Sequence, residues 1–307
     1  MMRIWISIKS QLIDLYDNND VLIRCYAVST ALRGAGEQNG SFRTPRGRHV
    51  VRAKIGSGLA ANTVLVRRRP TGEIWSPELS VAHPARDWIL TRILWLSGTE
   101  TGFNRLGQVD TMRRYIYIHG SPDNVAMGTP GSIGCIRMAN RDIVELFDLV
   151  APYTPVDIVE YGIEEHPWQQ VAAEAGAVRE RVFIVEQGVP ADMEYDDFDP
   201  QSLHAIARGP DGTAIGTGRL LPDGHIGRLA VLPAWRRHGV GRALMCQLTD
   251  AARRRGLDRL QLNAQIAAAG FYERLGYRRQ GEPFEEAGIA HIAMTRQVPL
   301  PGDQATE

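Results

Sequence analysis

The run Gly131-Ser132-Ile133-Gly134-Cys135-Ile136-Arg137-Met138, read with Tyr117-Ile118-His119-Gly120 upstream, decides the first half of this chain. It brings a thiol, a base and a cation close together. A thiol with a pKa of about 8.5 is only a few per cent thiolate at neutral pH, so a nucleophilic cysteine needs a nearby histidine or positive charge. His119 and Arg137 offer both. Gly128, Gly131 and Gly134 let the backbone approach a carbonyl group, and the amides around Cys135 can form an oxyanion hole. Tyr115-Ile116-Tyr117-Ile118 alternates like a strand that delivers His119 at its end. Ile143, Leu146, Phe147 and Val150 repeat at helical spacing, which places Cys135 in the loop between strand and helix.

Four blocks, Val28-Ser29-Thr30-Ala31, Thr44-Pro45-Arg46-Gly47, Tyr117-Ile118-His119-Gly120 and Ser132-x-Gly134-Cys135-x-Arg137-Met138, follow one another in the order found in the L,D-transpeptidase catalytic domain. Over residues 1–161 the chain resembles this YkuD-like, mainly-β fold. The resemblance implies that Cys135 attacks the carbonyl joining meso-diaminopimelate to D-Ala in a peptidoglycan stem peptide. It also implies that His119 is the base, that Gly134 and Cys135 donate amides, that Arg137 steadies the site or a substrate carboxylate, and that Ser132 bonds within the loop. An amine acceptor then gives a cross-link, and water gives carboxypeptidase action. The family commonly has His where this chain has Ile133. His119 is expected to suffice as base, with Ile133 altering loop packing or substrate fit.

At 307 residues the chain is long enough for about two domains. Its 35 basic and 35 acidic residues balance, which argues against a nucleic-acid binder with a broad cationic face. Strand-like pieces at 3–9, 12–16, 21–28 and 48–54 are separated by turn residues. Residues 71–111 read as a Trp-bearing insertion, with Trp75, Trp88 and Trp95 as a lid or as sheet packing. Arg67-Arg68-Arg69 reads as a solvated strand end, and Arg253-Arg254-Arg255 before Gly256 as a helix C-terminus. Cys25 and Cys246 read as small core hydrophobes, and no Cys or His has metal-ligand spacing. The start Met1-Met2-Arg3-Ile4-Trp5-Ile6-Ser7-Ile8-Lys9 lacks the roughly 7–15 apolar residues of a signal peptide, and no stretch has the roughly 18 of a membrane span. The expectation is a cytoplasmic protein with no membrane partner.

Residues 161–167 read as a short polar linker. Beyond it, the apolar stretch Ile226-Gly227-Arg228-Leu229-Ala230-Val231-Leu232 runs into Arg236-Arg237-His238-Gly239-Val240-Gly241-Arg242-Ala243, after which Val240, Leu244, Leu248 and Ala251 mark one helix face. A strand, Gly loop and helix in this order aim free N–H groups and a positive dipole at an anion. The loop is neither a P-loop nor a Gly-x-Gly-x-x-Gly turn. It is similar to the pyrophosphate-binding motif of the GNAT acetyltransferases, an α/β fold. Val182-Phe183-Ile184-Val185-Glu186-Gln187 and Phe271-Tyr272-Glu273-x-Leu275-Gly276-Tyr277 extend the match over residues 168–300. The resemblance implies that Leu229 and Val231 bond the pantetheine arm of acetyl-CoA, that Arg236, Arg237, His238, Gly239, Val240, Gly241 and Arg242 cradle its pyrophosphate, and that Tyr272 protonates the departing thiolate. For the base acting on the amine, Glu194, Asp196, Asp197, His204, Glu285 and His291 are candidates, with Glu285 preferred.

The expected protein is therefore a fusion that processes stem peptides or muropeptides by a cysteine acyl-enzyme and acetylates an amine with acetyl-CoA, without a metal. In a different class of reading, the GNAT half only binds coenzyme A, or the first half only binds muropeptides.

Overall fold

The structure, a computed structural model, describes residues 2–299. The chain divides into two compact units: the first runs to Glu160 without Asn19–Val21, and the second takes those three residues and continues from Tyr161.

In the first unit, alternation of apolar residues builds short strands whose even and odd positions face opposite sides. They are β1 (Arg3–Ser7), β2 (Leu12–Tyr16), β3 (Leu22–Ser29), β4 (Gly47–Ile55), β5 (Thr63–Val66) and β6 (Arg69–Ile74), then helix α1 (Pro77–Ala82). After these come β7 (Leu90–Gly98), β8 (Tyr117–Ser121), β9 (Ile136–Ala139), helix α2 (Asn140–Leu149) and β10 (Pro155–Val159). Hydrogen bonds give the order β4-β10-β1-β2-β3-β9-β8-β7, and β7 pairs back onto β4, so these strands close into a barrel from which β5 and β6 extend. Among the described strands of this unit, β1 with β10 and β8 with β9 run parallel and the other pairs antiparallel.

Inside lie Ile4, Ile6, Ile13, Leu15, Val28, Leu94, Ile118, Ile136 and Met138. Their register explains this, because Ile4 pairs with Leu15, Ile6 with Ile13 and Ile118 with Ile136. Helix α2 completes the core through Ile143, Leu146 and Phe147, the positions its spacing marked.

The structure corrects several expectations. Tyr115 has φ 58°, a conformation that ends an extended run, so β8 begins at Tyr117 and holds His119 at its middle. Cys135 is followed at once by strand β9 rather than by helix. Trp95 belongs to barrel strand β7, whereas Trp75 and Trp88 are buried with Val64 and Leu90; the sheet-packing reading holds and no tryptophan lid is needed. Cys25 is exposed, since alternation turns its neighbour Tyr26 inward. Arg68 is not a solvated strand end, for its guanidinium lies 4.6 Å from the Trp95 ring centroid.

The second unit contains β11 (Gly162–Pro167), α3 (Trp168–Arg179), α4 (Ala191–Glu194), β12 (Leu203–Arg208), β13 (Ala214–Leu220) and β14 (Ile226–Val231). It continues with α5 (Val240–Arg254), β15 (Arg259–Gln265), α6 (Ala269–Glu273), β16 (Arg278–Glu286) and β17 (Ile289–Gln297). Residues 162–167, expected as a linker, are thus an edge strand paired with β12. Two antiparallel sheets form, β11-β12-β13-β14 and β15-β17-β16. Helix α5 packs on the first sheet through Val240, Leu244, Leu248 and Ala251, none more than 1% exposed. Burying each Leu contributes about 1.5–3 kcal/mol, so this stripe fixes the helix and the loop before it. Arg253 and Arg254 close α5 ahead of Gly256, as expected. Among the described residues no helix is long and apolar enough to cross a membrane.

Candidate active sites

The Cys135 loop is held by the blocks that the sequence singled out. Gly131 and Ser132 each donate an amide to the Thr30 carbonyl, both at 2.9 Å, and Leu32 donates to the Ser132 carbonyl at 2.9 Å. Thr44 Oγ1 donates to the Gly134 carbonyl at 3.0 Å and accepts from the Ala31 amide at 3.0 Å. Ser132 Oγ accepts the Gly134 amide at 3.1 Å while donating to the Cys135 carbonyl at 2.5 Å. Gly134 turns at φ 135°, and a Cβ there would stand 3.2 Å from Ile116 Cδ1, so both backbone and space call for glycine.

Register aligns the reactive groups. Ser29 pairs with Arg137 on β9, and Arg137 with His119 on β8, so the three share the barrel's outer face. Cys135 stands just before β9 on the same alternation. His119 is fully buried; its Nδ1 lies 2.8 Å from the Gly120 carbonyl and must donate to it, which leaves Nε2 as a lone pair without a protein partner. Arg137 donates to the Gly131 carbonyl at 3.0 Å and to Asp87 at 2.6 Å. Asp87, which the sequence did not mark, therefore neutralises the cation expected to steady the site.

Burial pushes the Cys135 thiol up to about 12 and holds His119 below its ordinary value. The thiol donates to the Tyr115 carbonyl and accepts the Tyr117 amide, each at 3.4 Å. The resting pair is thus neutral thiol and neutral imidazole, not an ion pair. A thiol near 12 is thiolate at pH 7 to an extent on the order of 10⁻⁵. With iodoacetamide at pH 7, exposed Cys25 should be alkylated before Cys135; peptide mapping that finds Cys135 labelled first would show the thiol to be pre-ionised. The same shifts keep His119 unprotonated below its usual pKa of about 6.5, so kcat/KM should hold its plateau on the acid side of that value.

A cavity of about 810 Å³ opens at Cys135, lined also by Phe42, Arg68, Asp87, Tyr117 and Ile133. Ile133, at the position commonly His in the family, is 56% exposed at its wall.

In the second unit, β14 and β15 meet at the bridge between His225 and Gln261 and form no common sheet. Between them lies a cavity of about 420 Å³ whose walls include Leu229, Val231, Arg236, Gly241, Phe271 and Tyr272. Gly239 at φ 81° turns the chain into α5, and no side chain among the described residues caps that helix, so its first amides remain for an anion. Arg237 and His238 are exposed beside it, Val240 is buried, and Arg242 is half-buried on the first turn. Arg236 is engaged elsewhere, donating to Glu186 at 2.6 Å and to the Val231 carbonyl at 3.0 Å. Tyr272 stands 4.9 Å from Phe271, ring to ring, and burial pushes its phenol up to about 12, which keeps the proton in place for donation. Among the described residues no cluster suits a metal ion.

The family model of the L,D-transpeptidase catalytic domain matches residues 1–158. The chain belongs to that family. Residues 168–298 match the acetyltransferase (GNAT) domain model, so this L,D-transpeptidase family member is a fusion with a GNAT domain. It is 40% identical over 124 residues to a Bacillus subtilis (strain 168) protein described as "Uncharacterized N-acetyltransferase YjcF", covering 39% of this chain and 87% of that one. It is 32% identical over 125 residues to Protein ElaA of Escherichia coli (strain K12), covering 38% and 81%. The crystal structure of an acyl-CoA N-acyltransferase from Pseudomonas aeruginosa is similar to 45% of the chain, with 98% of its own length covered, 31% identity and a TM-score of 0.40.

For the acceptor side, Glu285 lies on exposed β16 and does not line the cavity, whereas Glu286, His291 and His225 do. Glu194 reaches the wall but is 2% exposed and ion-paired with Arg179. Asp196 is bound by Arg219 at 2.6 Å, and His204 is buried. His225 is held below its ordinary value by burial and is thus a neutral base near pH 7; its isolation in sequence hid it.

Proposed function

We propose that this L,D-transpeptidase family member cleaves and transfers peptidoglycan stem peptides through a thioester on Cys135, and acetylates an amine from acetyl-CoA in its GNAT half. The observation carrying the first reading is the buried His119, whose tautomer is fixed by Gly120 and whose Nε2 lone pair is unused on the face that carries Cys135. When substrate displaces water, Nε2 takes the thiol proton as sulfur bonds the carbonyl carbon of the diaminopimelate L-centre. The Cys135 amide stabilises the oxyanion, since the Gly134 amide is taken by Ser132. The C–N bond then breaks, D-Ala leaves with the proton, and water or an amine releases the thioester. Incubation with a soluble tetrapeptide, with and without an amine acceptor, tests this: tripeptide or a cross-linked product supports it, and unchanged tetrapeptide refutes it.

In the GNAT half, the α5 N-terminus takes the pyrophosphate, β14 the pantetheine arm, and Tyr272 protonates the coenzyme A thiolate as the amine attacks the acetyl carbon. Tyr272→Phe should lower kcat about 10²- to 10⁴-fold with little change in KM for acetyl-CoA. Gly241→Val should instead raise that KM, because a Cβ at 241 already stands 3.5 Å from Phe271 Cζ and 3.8 Å from Val231 Cγ2. Steady-state kinetics on an amine panel separates the two; a Tyr272→Phe enzyme with full kcat would reduce Tyr272 to packing.

A further inference from the structure

The cavity at Cys135 is lined by a cation that the reaction just described does not use. Arg68 sits on the tight turn between β5 and β6, where both Arg67 (φ 49°) and Arg68 (φ 68°) occupy the left-handed region that β-hairpin turns require and that glycine or asparagine usually fills. Two arginines at this strained turn are a costly choice for a connection alone. The turn aims Arg68 inward: its guanidinium carbon lies 4.6 Å from the Trp95 centroid and 5.0 Å from that of Tyr115, and its Nη1 donates to the Tyr117 hydroxyl at 3.0 Å.

Every other basic group in that wall except Arg67, on the exposed outer corner, has a structural partner. Arg114 donates to the carbonyls of Glu37 at 2.7 Å and Arg43 at 2.6 Å and so holds the loop before β4. Arg137, just behind the site, is paired with Asp87. Arg68 has no carboxylate partner among the described residues. Tyr117 links it to the nucleophile, since its amide donates to Cys135 Sγ at 3.4 Å while its hydroxyl accepts from Arg68. Arg68 therefore stands about one tyrosine side chain from the attacking sulfur, with its remaining N–H groups fixed in plane by the aromatic rings.

We infer that Arg68 is the residue that selects substrates carrying a free carboxylate beside the scissile bond. A planar guanidinium with two open donors binds a carboxylate bidentately, and the aromatic frame pre-pays the ordering of its side chain. In a stem peptide the carboxylate has two possible sources, the C-terminus of the leaving D-Ala or the side-chain carboxyl of diaminopimelate. This inference rests on the stem-peptide reading for its substrate, not for the anion-binding geometry.

The test compares wild type, Arg68→Gln and Arg68→Lys on three tetrapeptides: the native acid, its D-Ala amide, and the analogue with L-Lys for diaminopimelate. Arg68→Gln should cost roughly 10- to 100-fold in kcat/KM on the native peptide, mostly in KM, with partial rescue by Lys. On the peptide lacking the recognised carboxylate, wild type should already be weak and Arg68→Gln should cost nothing more, which names the source. Equal loss on all three peptides would make Arg68 a structural clamp, and no loss on the native acid would overturn the inference outright. Calorimetric binding of the same peptides to Cys135→Ser protein separates the two readings. Carboxylate-dependent, Arg68-dependent binding without any cleavage by wild type would sink the stem-peptidase reading and sustain the subsite; cleavage with no such dependence would do the reverse.

Discussion

Cys135→Ala should reduce stem-peptide turnover to the uncatalysed background while acetyl-CoA still raises the melting temperature of the protein. No neighbouring group can replace the sulfur: Ser132 Oγ is committed to the Cys135 carbonyl and the Gly134 amide, and Ser29 Oγ is buried at 1% exposure on the barrel wall. His119→Ala should cost about 10²- to 10⁴-fold, because the thiol, already pushed up to about 12, would lose the acceptor for its proton. The two losses should not add in a double variant, since nucleophile and base act as one unit. Mass spectrometry of the intact protein gives a direct reading: a stem-peptide adduct on wild type, none on Cys135→Ala. Residual turnover by Cys135→Ala at the wild-type rate would place the chemistry elsewhere and end the thioester mechanism.

The parts of this molecule that were legible in the sequence are those whose physics is local. Strands 12–16 and 48–54 follow from alternation, and helix α5 follows from a stripe at Val240, Leu244, Leu248 and Ala251. Cys135, His119 and the loop before α5 carry residue types that few structural roles demand together. What stayed hidden depends on pairing across the chain. Strand β9 is four residues inside a motif that reads as a loop, and it is a strand because β8 and β3 flank it. Strand β11, Gly-Ile-Glu-Glu-His-Pro, has almost no apolar face of its own; Glu164 finds Arg208 at 2.8 Å and Glu165 finds Arg254 at 2.6 Å only once folded. Asp87 and Arg68 are ordinary exposed-looking residues until the barrel brings Arg137 to one and Trp95 to the other. Even the charge state of Cys135 inverted, since a nearby cation suggests a thiolate while burial outweighs it.

The largest effect on stability should come from Arg179, which does not line the acceptor cavity but holds Glu194 in its wall. It ends α3 with 0% exposure, pairs with Glu194 through a carboxylate contact, and meets Asp199 at 2.9 and 3.0 Å. Its Nη2 also donates to the Glu194 carbonyl at 2.8 Å, and Trp168 and Tyr195 flank it, each 5.4 Å away. Arg219 shares Asp199 at 2.7 Å but is already held by Asp196, so it cannot neutralise both carboxylates. Arg179→Met keeps much of the volume and removes the charge, leaving buried Glu194 to the longer contact with Arg228 at 3.5 Å and Asp199 to Arg219 at 2.7 Å. Breaking a buried pair in this way costs about 3–5 kcal/mol, a large share of the roughly 5–15 kcal/mol that holds a domain folded. Arg179→Lys should cost less, because the charge survives although the planar fork does not. Urea melts of wild type and both variants at pH 7, following the transition that acetyl-CoA shifts, give the answer. A deficit as large in Arg179→Lys as in Arg179→Met, or absent from both, would mean that Arg179 does not act through its charge.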